Sequence, residues 1–265
     1  MTAVTGLPVT PSPSRAPARL SKGHPMSRVW NVVRLHLTNT WAMLVTPGII
    51  LGVIFLANLA IWVIITRAAG ADAPEAIEGT QYSGAALFIF VYMMVVAVQA
   101  ITVTFPFALG YSVTRRDYYL GTSLLFVLLA LAWSIVLAAL SLLEEATNGW
   151  GLGGHMFTSI YFGNGEVAPR LWIPFAGLLF FFFIGAAVAT IYMRWRMNGM
   201  IVFWVVSLIL VVGLAALVTY TDSWPAVGNW FSTNGVVGVA SWSLVPTAVA
   251  AVTGFFVLRR ATPKN

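Results

Sequence analysis

The sequence contains no cysteine. Disulfides, thiolate metal sites and thiol nucleophiles are thereby excluded, and the redox compartment stays open. Lysine is almost missing too: the chain has Lys22 and Lys264, and neither follows the glycines of a phosphate-binding loop. A G-x-x-x-x-G-K-[ST] nucleotide site cannot be built from it, so the chain is not expected to be an enzyme of the ATPase class. H-E-x-x-H and G-x-S-x-G are absent as well, which removes the zinc-protease helix and the nucleophile elbow. His24, His36 and His155 lie in separate segments, so no shared metal site is expected.

Charge is the scarcest property. Only 8% of the 265 residues are charged, against 59% hydrophobic, and the mean hydropathy is +0.87. A soluble domain carries about 25% charged residues, so this composition indicates a membrane protein. Windows free of Asp, Glu, Lys and Arg cover 48–66, 85–109, 119–143, 171–193, 200–220 and 236–258. Each approaches or exceeds the ~20 residues that cross the ~30 Å hydrocarbon core as a helix. The runs are apolar on every face, whereas barrel strands alternate and are about half as long. The expected fold class is an all-α integral membrane protein with six transmembrane helices. No span holds a charge for a proton relay or ion-coupling site, which disfavours a proton- or sodium-driven carrier.

Orientation follows from the basic residues. With six spans, all of the 14 Lys and Arg except Arg67 and Arg170 fall on the side of the termini, together with a single acid, Asp117. Short loops rich in Lys and Arg stay in the cytoplasm, so both termini are expected inside. The net charge of +6 then reads as topology and contact with lipid headgroups. Its dispersal among loops argues against nucleic acid. The excess of arginine over lysine suggests a bacterial inner (cell) membrane as the location.

Residues 1–26 are rich in Pro, Ser, Thr and Ala and read as a disordered cytoplasmic tail. Over 27–46, Val29, Trp30, Val33, Leu37 and Trp41 recur at helical spacing, with Arg28, Asn31, Arg34 and Thr38 elsewhere on the wheel. This predicts a cytoplasmic amphipathic interfacial helix, its Trp30, Val33 and Leu37 in the headgroup region and its Arg28 and Arg34 facing phosphates or a partner. Pro47 and Gly48 should separate it from a transmembrane domain over 47–260, and 261–265 is a short cytoplasmic tail. Outside, 67–84 is an acidic loop. The glycine-rich segment 144–170 reads as exposed and unpacked, and 221–235 as an interfacial or re-entrant hairpin with Trp224 and Trp230. Within the spans, Asn58, Gln99, Ser134, Ser207 and Ser241 are the polar residues able to face a partner helix or a path. Gly48 and Gly52 form a G-x-x-x-G at the start of the first span.

The stretch GYSVTRRDYYLG, between the second and third windows, concentrates charge where charge is rare. On residue chemistry alone it is read equally well as a topological anchor with interfacial tyrosines. The whole arrangement resembles the permease subunits of bacterial ATP-binding-cassette transporters of the ABC-2 superfamily. In these a cytoplasmic amphipathic helix precedes six spans, and a short loop reads roughly L-G-x-G-x-[ST]-R-R-x-[FY]-[FY]-x-G. The matching residues are Leu109, Gly110, Thr114, Arg115, Arg116, Tyr118, Tyr119 and Gly121, while Ser112 stands where the pattern often has glycine. The resemblance implies a loop, Thr114, Arg115, Arg116, Asp117, Tyr118 and Tyr119, that couples to a separate cytoplasmic ATPase subunit holding ATP and Mg. It further implies a dimer with a second permease copy or a homologue, export as the direction of transport, and a path near the first, second and fifth spans. Asn58, Gln99 and Ser207 are then candidate lining residues. The alternative reading is a membrane scaffold or sensor that binds another cytoplasmic partner through the same basic loop.

The cysteine-free chain allows a direct test of topology. With single cysteines placed at 115 and at 166, an impermeant thiol reagent applied to intact cells is expected to label only position 166; equal labelling would refute the six-span arrangement.

Overall fold

The structure, a computed structural model, describes residues 25–163 and 165–260, and among these every regular element is a helix. The expectations for the tails fall outside the described residues, except that Pro25 and Met26 already belong to the first helix. Four helical stretches are long and apolar enough to cross a membrane: Trp41–Gly110, Arg115–Ala146, Val167–Tyr220 and Trp224–Arg260. In chain order the helices are α1 (Pro25–Leu37), α2 (Thr46–Ala69), α3 (Ala73–Glu78), α4 (Phe88–Gln99), α5 (Phe105–Gly110), α6 (Arg115–Ala146), α7 (Val167–Tyr220), α8 (Trp224–Trp242) and α9 (Leu244–Arg260).

Local backbone chemistry divides the long stretches. The first is interrupted at Gly70 (φ 55°, ψ −111°) and at the extended Ser83. In α7 the break is Arg196 (φ 53°, ψ −142°). Phe180 and Val211, at nearly equal distances on either side of Arg196, line one groove, so the chain reverses there. In α8 the break is Gly235 (φ 59°, ψ −173°), and Pro246, which cannot donate to the carbonyl of Trp242, follows the turn at Ser243.

Two π-helical turns, Trp41–Val45 and Ala100–Thr104, each end two residues before a proline, Pro47 and Pro106. Proline removes one backbone donor and crowds the preceding turn, and a slip to i→i−5 bonding widens the helix and relieves the crowding. Carbonyls of both turns accept from aromatic side chains of other helices. Trp133 Nε1 donates to Met43 O at 3.2 Å, Tyr92 Oη to Ala42 O at 2.7 Å, and Tyr118 Oη to Ala100 O. Pro47 therefore does not part the interfacial helix from the first span. The break falls at Thr38 and Asn39, and Pro47 sits in the first turn of α2, where its missing N–H costs little.

The core lies between α4, α6 and the first half of α7. Phe126 stacks on Phe182 at 4.7 Å, and Ile89, Met93 and Leu178 are buried around them. By contrast, residues 197–220 contain no buried position, and large apolar side chains point outward on all sides. The G-x-x-x-G of α2 makes no close helix contact: a Cβ at Gly48 would come no nearer than 3.9 Å to the Trp133 ring, and one at Gly52 would meet open space.

Helix α1 docks on the start of α6 through a stripe that keeps Val33 of the expected one and leaves out Trp30 and Leu37. Val32, Val33 and His36 are buried there, while Trp30 and Leu37 are exposed on the opposite edge. The reason is Gly121 of α6. A Cβ at that position would stand 2.5 Å from Val32 Cβ and 2.8 Å from Val29 O, so only glycine lets the two helices approach this closely. Trp30 and Leu37 remain available to the membrane surface.

Gly121→Val is expected to undock α1, raising tryptic cleavage after Arg28 and Arg34 at least tenfold. Gly52→Val, at a glycine with open space around it, should leave that cleavage unchanged, and equal cleavage of both variants would refute the contact.

Candidate functional site: the basic corner of α1, α6 and α9

Chain reversal before α6 requires a left-handed residue, and Ser112 supplies it with φ 60°. This explains why glycine suits that position, and why serine carries a strain there of roughly 1 kcal/mol. Thr114 follows in extended conformation and caps α6, its Oγ1 accepting from Asp117 N at 3.1 Å. Asp117 lies in the first turn, where the helix dipole favours a carboxylate. Arg28 of α1 approaches it at 3.9 Å, with the arginine exposed and the carboxylate half-buried; at this distance a pair near the surface contributes about 1 kcal/mol or less.

The remaining residues of the stretch divide between inward and outward roles. Arg115 Nη1 donates to Arg259 O at 3.2 Å, satisfying a carbonyl at the C-terminal end of α9. Tyr118 is fully buried, its ring 5.2 Å from Phe105 and 5.6 Å from His36. Tyr119 Oη donates to Ala251 O of α9 at 2.6 Å, with its hydroxyl close over Gly254. The two tyrosines are therefore not interfacial anchors. They fasten α6 to the π turn before α5 and to α9, because a phenol buried in an apolar bundle must find an acceptor. Among residues 114–119, Arg116 is the charged residue that is exposed, Arg115 and Asp117 being half-buried.

On α1, Arg34 is exposed and Val33 buried. His36 Nε2 lies 3.1 Å from Thr122 Oγ1 of α6, and burial pushes its pKa down to about 4. The corner thus unites the expected coupling loop with the expected interfacial helix. It does not extend to the candidate path residues. Asn58 Nδ2 donates to Ile54 O on its own helix at 2.9 Å, and Gln99 is exposed. Ser207 lines a groove between the halves of α7, to which neither of the others contributes.

At the opposite end, the segment read as exposed and unpacked is folded around a carboxylate. Glu144, 1% exposed, accepts at Oε1 from Met156 N (3.0 Å), Phe157 N (3.0 Å), Thr158 N (2.8 Å) and Thr158 Oγ1 (2.7 Å). Its Oε2 accepts from Trp150 Nε1 at 3.2 Å. Arg170, 2% exposed, donates to Ser141 Oγ, Gly165 O and Glu145. Gly154 lies flat on the Trp62 ring, where a Cβ would meet ring carbons at 2.2 Å. His155 N and Ile160 N bond the turn at Gly79–Tyr82. The glycines here serve left-handed turns between 149 and 165 rather than looseness. The adjacent acids Glu144 and Glu145 at the end of an apolar run were the available signal.

No known protein family, curated protein or solved structure matches this chain.

Docking of α1 should depend on pH in one direction. Docked His36 stays neutral down to about pH 4, whereas a released one protonates below about 6.5, so undocking gains protons between those values. Acidification from pH 7 towards 4 is expected to weaken docking, by up to about 3 kcal/mol. Hydrogen-exchange protection factors of α1 should fall over that window in the native chain and stay flat in His36→Gln; a fall of equal size in the variant would assign the effect elsewhere.

Proposed function

We propose that this multi-pass membrane protein is the permease subunit of an ATP-driven exporter. Its six spans would be the stretch 46–69, α4 with α5, α6, the two halves of α7, and the run from 236 through α9, with both termini in the cytoplasm of a bacterial cell. A separate cytoplasmic ATPase, holding ATP and Mg, would bind at the α1–α6 corner. A second permease copy or a homologue would complete the path.

The observation that carries this reading is the mechanical wiring of the corner. Arg116 is exposed in a stretch where other side chains are engaged by the chain itself: Thr114 on the α6 cap, Arg115 and Tyr119 on α9, Tyr118 on the π turn before α5. Force applied there by a partner reaches α1, α5, α6 and α9 together, as rigid-body rocking of a helix bundle requires. An anchor needed only for topology has no use for such bracing, since the positive-inside effect counts charges irrespective of their packing. Basic residues that meet a partner's carboxylates or carbonyls also favour arginine, whose planar fork lysine does not reproduce.

The test separates the two arginines. Arg116→Glu should keep insertion and folding but lose a copurifying ATPase, and Arg116→Lys should bind it while lowering transport-coupled hydrolysis severalfold. Full binding and turnover in Arg116→Glu would refute the coupling role; a bound partner that hydrolyses no ATP would make the chain a scaffold.

A further inference from the structure

A groove of about 400 Å³ runs between α2 and α6. Leu44 lines it near the start of α2, and Leu51, Gly52, Val136 and Leu140 line its length. At its far end stand Trp150 and Phe157, from the loop after α6, their rings 4.7 Å and 6.2 Å from that of Phe55. Both are held by Glu144, Trp150 through its Nε1 and Phe157 through its backbone N. This carboxylate sits about 44 Å along α6 from Arg115 at 1.5 Å per residue, at the end of the bundle away from the basic corner.

The loop that closes this end is strained. Asn148, Gly149, Trp150 and Gly151 are left-handed in succession, with φ of 50°, 60°, 58° and 79°. Glycine adopts such angles freely, but for a residue as bulky as tryptophan they are an outlier that the surroundings must enforce. Here the enforcing contacts are the indole bond to Glu144 and the ring of Phe55. The rest of the segment depends on the same carboxylate. Met156 N, Phe157 N, Thr158 N and Thr158 Oγ1 all donate to its Oε1, while His155 N and Ile160 N each add a bond to the turn at Gly79–Tyr82. Loss of one side chain therefore releases five bonds together, next to a strained turn, and a segment held in this way opens as a unit.

We infer that the segment 150–158 is a hinged lid over the end of the α2–α6 groove, with the left-handed run at 148–151 as its hinge and Glu144 as its latch. Freed from Glu144, the strained run relaxes, Trp150 and Phe157 leave Phe55, and water enters the groove from the end opposite the basic corner. Lids carry their motion in a few residues at the ends of elements, and this hinge directly follows the last turn of α6. A loop that only packed would have no need of a tryptophan held in a glycine conformation as its plug. The lid belongs to the chain by itself, so it stands or falls separately from the exporter reading.

The full chain in lipid nanodiscs supplies the test, with a single cysteine at 140, which lines the groove one turn of α6 before Glu144. Its rate of modification by a charged thiol reagent is expected to rise at least tenfold in Glu144→Gln and severalfold in Thr158→Val, which removes one bond to the latch. Glu145→Gln, whose carboxylate meets Arg170 instead, should leave the rate unchanged. A cysteine at 44, at the other end of the groove, should respond to none of the three substitutions. A rate in Glu144→Gln within twofold of the parent would overturn the lid, and so would an equal rise in Glu145→Gln or at position 44, since either would mean general loosening. Should Glu144→Gln fail to fold, an unchanged rate in Thr158→Val overturns the lid by itself.

Discussion

Backbone carbonyls inside hydrocarbon have no water to turn to, and an unsatisfied one costs several kcal/mol. Pro47 and Pro106 create that difficulty twice, each two residues after a π turn. At the first turn the chain resolves it with side-chain donors from elsewhere, Trp133 on Met43 O and Tyr92 on Ala42 O; at the second, Tyr118 adds a donor to Ala100 O, which also accepts from Phe105 N. These bonds also fix which helices are neighbours. Trp133 ties α6 to the start of α2, Tyr92 ties α4 to it, and Tyr118 ties α6 to the end of α4. A bundle whose helices are mostly apolar on every side has little hydrophobic reason to prefer one pairing; the few directional bonds supply the preference.

The same constraint shapes the basic corner. Tyr118 and Tyr119 are adjacent on α6 and point to different helices because successive helical residues are about 100° apart. One closes the π turn, the other reaches Ala251 on α9. Arg115 then satisfies the end of α9, and Gly121 admits α1 against the next turn of α6. What remains exposed is a short charged surface containing Arg116 and Arg34 on a braced support. At the other end, Glu144 gathers three backbone N–H groups, a hydroxyl and an indole. It organises its loop as a bound anion would, from inside the chain.

Much of this was legible in residues whose chemistry is local. Charge-free windows of about 20 residues mark the long apolar helices. Ser112 was recognisable as a position that wants glycine, and its left-handed backbone gives the reason. The failures concern partners distant in sequence. A wheel diagram of α1 puts Trp30, Val33 and Leu37 on one apolar stripe but cannot know that Gly121 leaves room for Val32, and that Val33 packs on α6 rather than in the headgroups. Tyrosines near a membrane boundary look like headgroup anchors, and only their acceptors, Ala100 O and Ala251 O, show otherwise. Glycines between 149 and 165 look like looseness until the left-handed turns they permit are seen wrapped around Glu144.

In the proposed exporter, a cytoplasmic partner would seat on the α1–α6 corner. Determining the structure of the complex that copurifies with the full chain from its native membrane tests it most directly. The expected map has a partner protein against the exposed face of α1 and the first turn of α6, with Arg116 in the interface. A chain isolated with nothing at this corner, or a partner seated at the Glu144 end instead, would contradict it.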